Sequence, residues 1–322
     1  MSHISNFIKI TREAYKTSKK LSAKTGYSRL WLTRDIVSAR YRHKAFLTDY
    51  VDGKFYRLTK LERKDYLTIG RQMPLYRKLN NAQYITYFKN KATFLKWFKD
   101  IVRREWMACG ESSSDAIRQF VVKHRKVFAK PLKGSQGSGI FIVTPEKLSD
   151  ENLSRLSQSD YVLEECVVQD ERMNFGSKSV NTLRVYTLID KGGQPKVIKA
   201  LVRAGVGDAI VDNFHQGGVI YPLNIDTGKV EGPGCYSDFE CNVLVHPGTD
   251  IFMPGFEVPH WQEVLQTVKK GALLRPEVRF VGWDVAITSD GVDVIEGNDL
   301  ADMDLLHLLG QPFTYKDFLK EI

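Results

Sequence analysis

Two hydrophobic periods divide this chain. From Phe88 to Trp106, apolar positions at Phe94, Trp97, Phe98, Ile101, Val102 and Trp106 recur at helical spacing, with Lys96, Lys99, Arg103 and Arg104 largely between them. This pattern predicts an amphipathic helix with a basic margin. A second apolar and basic segment surrounds Leu30, Trp31, Ile36 and Val37, so residues 1–110 read as mainly helical. The polar stretch Gly110 to Ser114 predicts a boundary. Asp115 then opens a short helical pattern through Ile117, Phe120, Val121 and His124, where Ser114 or Asp115 can accept orphan backbone N–H groups. From Val127 the period falls to two, with strand-like runs at 127–129, 140–143, 161–163, 180–189, 196–203, 219–223, 278–287 and 292–295, broken by glycine-containing turns. One helical pattern, Trp261, Val264, Leu265 and Val268 before Gly271, lies among them. The expectation is an α+β fold dominated by hairpins.

Length supports a division, since 322 residues exceed what one hydrophobic core usually serves. Charge marks the same division. Residues 1–110 hold 25 Lys and Arg against 8 Asp and Glu, a balance of +17, and residues 111–322 hold 22 against 30, a balance of −8. A basic half suits nucleic acid, an anionic lipid surface or an anionic glycan or diphosphate. No RNP, KH or zinc-finger signature supports nucleic acid. The four cysteines, Cys109, Cys166, Cys235 and Cys241, show neither disulfide-scaffold density nor a CxxC spacing. With no secretory h-region and no spanning apolar stretch, a reducing cytoplasm is the expected compartment.

The segment VFAKPLKGSQGSGIFIV reads as strand, glycine-rich loop, strand. Gly134, Gly137 and Gly139 let the backbone approach a ligand, so that several N–H groups converge on phosphate oxygens. Ser135 and Ser138 add hydroxyl donors, while Lys130 and Lys133 supply point charges. No Gly-Lys-Ser/Thr triplet closes the loop, which therefore is not a Walker A motif.

Its partner is GWDVAITSDGVDVIEGND at 282–299, an antiparallel hairpin about the turn Ser289-Asp290-Gly291. With those three residues as the loop, Asp284 pairs across from Glu296, and Asn298 shares the face of Glu296. Two carboxylates and an amide oxygen are hard ligands of the kind Mg²⁺ takes. Like charges directly opposite are otherwise unfavourable, and a bound cation accounts for them.

Five blocks then occur in order: Lys130-Pro131 with Gly134 to Gly139, YVLEECVVQ at 161–169, SVNTLRVYTL at 179–188, DNFHQGG at 212–218, and VGWDVAITSDG with VIEGN within 281–298. Together they resemble the ATP-grasp superfamily, and within it the sugar-transfer-associated group, relatives of the α-L-glutamate ligase-like proteins. The resemblance implies two lobes enclosing ATP, a small lobe at about 115–168 and a large lobe at about 169–322, preceded by the basic N-terminal region. It places Glu164 and Glu165, with the backbone of Cys166 and Val167, in the hinge against adenine, and Asp170 or Glu171 at the ribose. Asp170 stands where relatives often carry histidine. Arg184 and Arg203 match positions holding positive charge against phosphate and a developing acyl phosphate. Asn213 and His215 border the acceptor site, with His215 as base, and Asp284, Glu296 and Asn298 match the metal positions.

The activity so implied is ATP- and Mg²⁺-dependent joining of a carboxylate to an amine, on a sugar acid or other surface-polysaccharide precursor. The basic region would suit a lipid-linked substrate or the inner face of a membrane. Phosphotransfer to a hydroxyl uses the same ATP apparatus and stays open, as does a nucleic-acid-binding role for the basic half.

Overall fold

The computed structural model describes residues 3–134, 139–207, 217–236, 241–310 and 312–321. Contacts divide the chain into two units interleaved in sequence, Met1–Lys78 with Asp302–Ile322 and Leu79–Ala301.

The first unit opens with α1 (His3–Thr25) and α2 (Arg29–His43), antiparallel, with Ala14 and Leu21 sharing one buried cluster with Leu32, Ile36 and Ala39. The short helices α3 (Leu47–Val51) and α4 (Lys60–Asp65) follow, then α5 (Ile69–Leu79). Asp49 ties two of these starts together, accepting from the Phe46 N–H at 2.6 Å and the Ile69 N–H at 3.0 Å. Both are donors that a helix start otherwise leaves unpaired.

The second unit begins well before the boundary expected near residue 110. Phe94, Phe98 and Ile101 are buried in the same core as Trp283, Val285 and Val294, and this packing assigns residues 79–110 to the strands that follow. The single helix expected from Phe88 to Trp106 is also replaced. Two short helices, α6 (Thr86–Lys89) and α7 (Lys91–Trp97), carry the aromatic stripe, and Trp106 starts strand β1 (Trp106–Ala108). Phe94, Phe98 and Ile101 of the stripe are buried while Trp97 is exposed, and Arg103 and Arg104 lie beyond the helix and reach carboxylates far along the chain, a tertiary override of local propensity.

A four-stranded antiparallel sheet follows. After α8 (Ser114–His124), which Ser113 rather than Ser114 or Asp115 caps, come β2 (Val127–Pro131), β3 (Phe141–Val143), α9 (Asp150–Ser157) and β4 (Tyr161–Glu165), in the order β1-β4-β2-β3. Helices α8 and α9 cover one face through Ile117, Phe120, Val121, Leu153 and Leu156. On the other face Val162 joins the larger core, beside Lys130 and Glu164.

That larger core underlies a seven-stranded antiparallel sheet. Its strands are β5 (Thr182–Ile189), β6 (Pro195–Ala204), β7 (Val219–Leu223), β8 (Gly234–Tyr236), β9 (Cys241–Val243), β10 (Phe280–Thr288) and β11 (Gly291–Asn298), ordered β11-β10-β5-β6-β7-β8-β9. Helix α10 (Trp261–Leu274), between β9 and β10 in sequence, packs its Trp261, Val264 and Val268 stripe across one face. Strands β1, β8 and β9 carry three residues each, too few for a period to show in sequence. Cys235 and Cys241, directly paired between β8 and β9, form a disulfide that their spacing had not suggested. The chain then returns to the first unit through α11 (Asp304–Leu308) and α12 (Tyr315–Glu321). Among the described residues no helix is long and apolar enough to cross a membrane.

Candidate active site

Asp284 on β10 lies directly opposite Glu296 on β11, the pairing expected from the sequence, but by a different route. The loop has two residues, Ser289 and Asp290, since Thr288 already pairs with Gly291. The two-residue loop alone would set Asp284 against Ile295 and turn Glu296 to the opposite face. A β-bulge at Ile295 supplies the missing residue: Val285 pairs with Val294, Ile295 is unmatched, and Asp284 pairs with Glu296. Asn298 shares that face and donates its Nδ2–H to Glu296 Oε1 at 3.2 Å.

Two arginines converge on the same carboxylate. Arg184, beside Asp284 on β5, donates from Nε to Oδ1 at 2.5 Å and from Nη2 to Oδ2 at 3.1 Å. Arg203 reaches over from β6 and donates from Nη1 to Oδ2 at 2.9 Å. A Cβ at residue 282 would lie 2.5 Å from the Ala301 Cβ and 3.3 Å from the Arg184 Cδ, so glycine leaves the space along which the arginine stem runs. Burial alone would raise the Asp284 carboxyl, but Arg184 and then Arg203 outweigh it and hold it ionised. Glu296 has the opposite fate. Burial and then the Asp284 charge push its carboxyl up, and it donates a hydrogen bond to Asp284. A cation placed here would relieve the same repulsion.

This chemistry fits a divalent ion with few protein ligands. Among the described residues no group of three His, Cys, Asp or Glu side chains gathers around one point. Glu296, Asp284 and the Asn298 amide oxygen would fill part of an Mg²⁺ octahedron and leave the rest to phosphate oxygens and water.

The glycine loop lies toward the small sheet. Gly134 (φ 139°) and Gly139 (φ 76°) both adopt positive φ, as expected of residues that turn a loop where a side chain would be strained. Ser135, Gly137 and Ser138 lie outside the described residues, as do Asn213 and His215. Lys133 is exposed at the loop's start. Lys130 donates from Nζ to Glu164 Oε2 at 2.9 Å.

Two further side chains enter this neighbourhood that sequence reasoning did not single out as site residues. Lys91, first residue of α7, donates from Nζ to the Gly134 carbonyl at 3.2 Å, while its backbone N–H donates to the Leu132 carbonyl at 3.0 Å. Burial lowers its ammonium, which the charges of Glu296, Lys130 and Glu164 all reach. Arg104 is buried and bonded to Glu164 at 2.5 Å and to Asp293 at 3.0 Å. Burial would raise the Glu164 carboxyl, yet Arg104 and then Lys130 hold it at about 2. The local cue was two adjacent arginines inside an apolar run, but their partners are about 60 and 190 residues away.

Between the sheets, residues 166–170 leave β4 and are fastened at their far end, where the Asp170 N–H donates to the Ile287 carbonyl at 3.0 Å. Glu165 accepts the Glu105 N–H at 3.0 Å, Val167 is half-buried, and burial pushes the half-buried Cys166 thiol up, away from a nucleophilic role. Asp170 is engaged locally. Its carboxylate accepts from the Arg172 Nε–H at 2.9 Å and Nη2–H at 2.7 Å, and these bonds hold it at about 2.

A family model described as sugar-transfer-associated ATP-grasp matches residues 70–315. No curated protein matches the chain. Among solved structures, the ATP-grasp ligase PsnB with its minimal precursor, Mg and ADP is 18% identical over 73% of this chain, with a TM-score of 0.44. The chain spans 56% of that structure's length. D-alanyl-alanine synthetase A from Vibrio cholerae is 14% identical, covering 73% of this chain and 63% of its own, at a TM-score of 0.41. D-alanine-D-alanine ligase from Coxiella burnetii is 10% identical, covering 75% of this chain and 58% of its own, at 0.43. With the family model covering three quarters of the sequence, the chain belongs to the sugar-transfer-associated ATP-grasp family.

Proposed function

We propose that this chain is an ATP- and Mg²⁺-dependent carboxylate–amine ligase acting on a sugar acid or another surface-polysaccharide precursor. The observation that carries the reading is the Asp284–Glu296 pair, a buried acid directly opposite a half-buried one across the hairpin, flanked by Arg184 and Arg203. Mg²⁺-ATP would supply a γ-phosphoryl group to activate a substrate carboxylate with release of ADP, so that an amine could displace phosphate and form the amide.

The chain's own residues orient and neutralise. Lys130 and Lys91 stand where they can meet phosphate oxygens beside the glycine loop. Arg184 and Arg203, both anchored through Asp284, hold positive charge toward the transferring group, and such preorganised charge is worth most where water is excluded. Glu296, Asp284 and Asn298 would hold the metal, and the backbone of residues 166–167 would border the base.

The test is ATP consumption across uronic acids, nucleotide sugars and amino acids, with and without hydroxylamine. A trapped hydroxamate with released phosphate supports ligation. A phosphorylated product without free phosphate means phosphotransfer to a hydroxyl instead.

The basic region gives this activity a place, at the inner face of a membrane carrying anionic or lipid-linked glycan precursors. Along α1, exposed Ile4, Phe7, Ile8 and Tyr15 alternate with Lys9, Arg12 and Lys16. Apolar residues among basic ones suit an anionic lipid surface. Equal retention on neutral and anionic vesicles would remove this part of the reading.

A further inference from the structure

Arg104 spends its donors on two strands from different sheets. Nε donates to Glu164 Oε2 of β4 at 2.5 Å. Nη1 donates to Asp293 of β11 at 3.0 and 3.1 Å and to the Val294 carbonyl at 2.8 Å, and Nη2 donates to the Ile295 carbonyl at 2.9 Å. Ile295 is the bulged residue, unmatched on β10, and the guanidinium bonds its carbonyl. The preceding residue adds to the anchor, since the Arg103 N–H donates to Asp293 Oδ1 at 2.9 Å.

Each end of this fork bears on a different part of the site. Glu164 holds the Lys130 ammonium at 2.9 Å. The bulge decides which residue faces Asp284, and with it the side of the sheet on which Glu296 stands. One planar cation therefore fixes both the lysine beside the glycine loop and the carboxyl of the metal position. A lysine at 104 would keep the charge but could not span an acid on one strand and two successive carbonyls on another.

We infer that Arg104 is a positioning residue that sets the phosphate-binding lysine and the metal-binding carboxyl in one frame, so that nucleotide and metal bind as a unit. This rests on the site being an Mg²⁺-ATP site. Its specific consequence is thermodynamic coupling: ADP affinity depends on Mg²⁺ through the frame that Arg104 maintains.

The test is calorimetric titration of ADP into the full-length protein with and without Mg²⁺, comparing the ratio of the two affinities in wild type and in Arg104→Lys. The expected result is a folded variant whose ratio drops by about tenfold or more, the scale seen when groups supporting a metal's ligands are lost. An unchanged ratio in folded Arg104→Lys overturns the inference and leaves the site reading standing, because a residue that only stabilises the fold alters the amount of competent protein and not the ratio. If Arg104→Lys fails to fold, Asp293→Asn loosens the same fork while keeping its shape, and the ratio is expected to fall severalfold; no change there overturns the inference equally. Wild type with no Mg²⁺ dependence of ADP binding would defeat the site reading itself, and the inference with it.

Discussion

Across one rung of the β10–β11 hairpin, burial and then Asp284 oppose loss of the Glu296 carboxyl proton and push the group up. The folded state therefore binds that proton more tightly than the unfolded chain does. Stability from this group is complete at acid pH and is lost as pH rises through the raised value. Glutamine is neutral throughout, so Glu296→Gln without metal or nucleotide should melt above wild type, by a margin larger at about pH 8 than at about pH 5. The same substitution should lower Mg²⁺-dependent kcat/KM by about 10²-fold or more, as expected for losing a group that serves the charge shift. Thermal denaturation and turnover measured on one preparation check both, and unchanged turnover would remove Glu296 from the metal site. The juxtaposition of Asp284, Glu296 and Asn298 was legible because residues two apart on a strand share a face. Arg104 and Lys91 were not, since nothing near either in sequence names its partner.

At the scale of elements, the aromatic stripe after residue 88 shows what periodicity can and cannot settle. It identified Phe94, Phe98 and Ile101 as buried, and they are, but the long helix it suggested ends at Trp97. Phe98 is fully buried, with its ring 4.6 Å from that of Phe94 and 5.6 Å from that of Trp283. Phe98→Ala should cost about 3–5 kcal/mol, read as a lower urea midpoint with an unchanged slope. The hairpin teaches a related lesson. Its strands and the pairing of its acids could be read from alternation, whereas a two-residue loop with a bulge and a three-residue loop without one put the same two acids face to face. Choosing between them requires the buried guanidinium that the bulge serves.

For the whole molecule, each of the two units holds a raised carboxyl and a lowered histidine. In the first, burial and then the neighbouring Asp302 push the Asp304 carboxyl up to about 8, and burial pushes Asp49 up to about 6. Raised carboxyls stabilise the unit at low pH and stop doing so as pH climbs through those values. Burial takes His307 the other way, to about 4, so its contribution is kept above its ordinary range and lost on acidification through that value. Asp304→Asn should flatten the fall in stability between about pH 4 and 8 and leave the profile below that unchanged, a difference that melting curves across pH would show. The α+β class and most strands of the second unit were visible in the changing period. The division of the chain was not, because composition changes near residue 110 while the core claims residues from 79 onward.

The first unit gathers its parts from both ends of the described chain. His307 stacks on Tyr66 with ring centroids 3.7 Å apart, Asp304 accepts from Gln72, and Phe318 is wholly buried. Translation therefore separates these partners in time. A ribosome adding roughly 5–20 residues per second needs on the order of 10–45 s to pass from one piece to the other, and the nascent helices must wait that long for their closing segment.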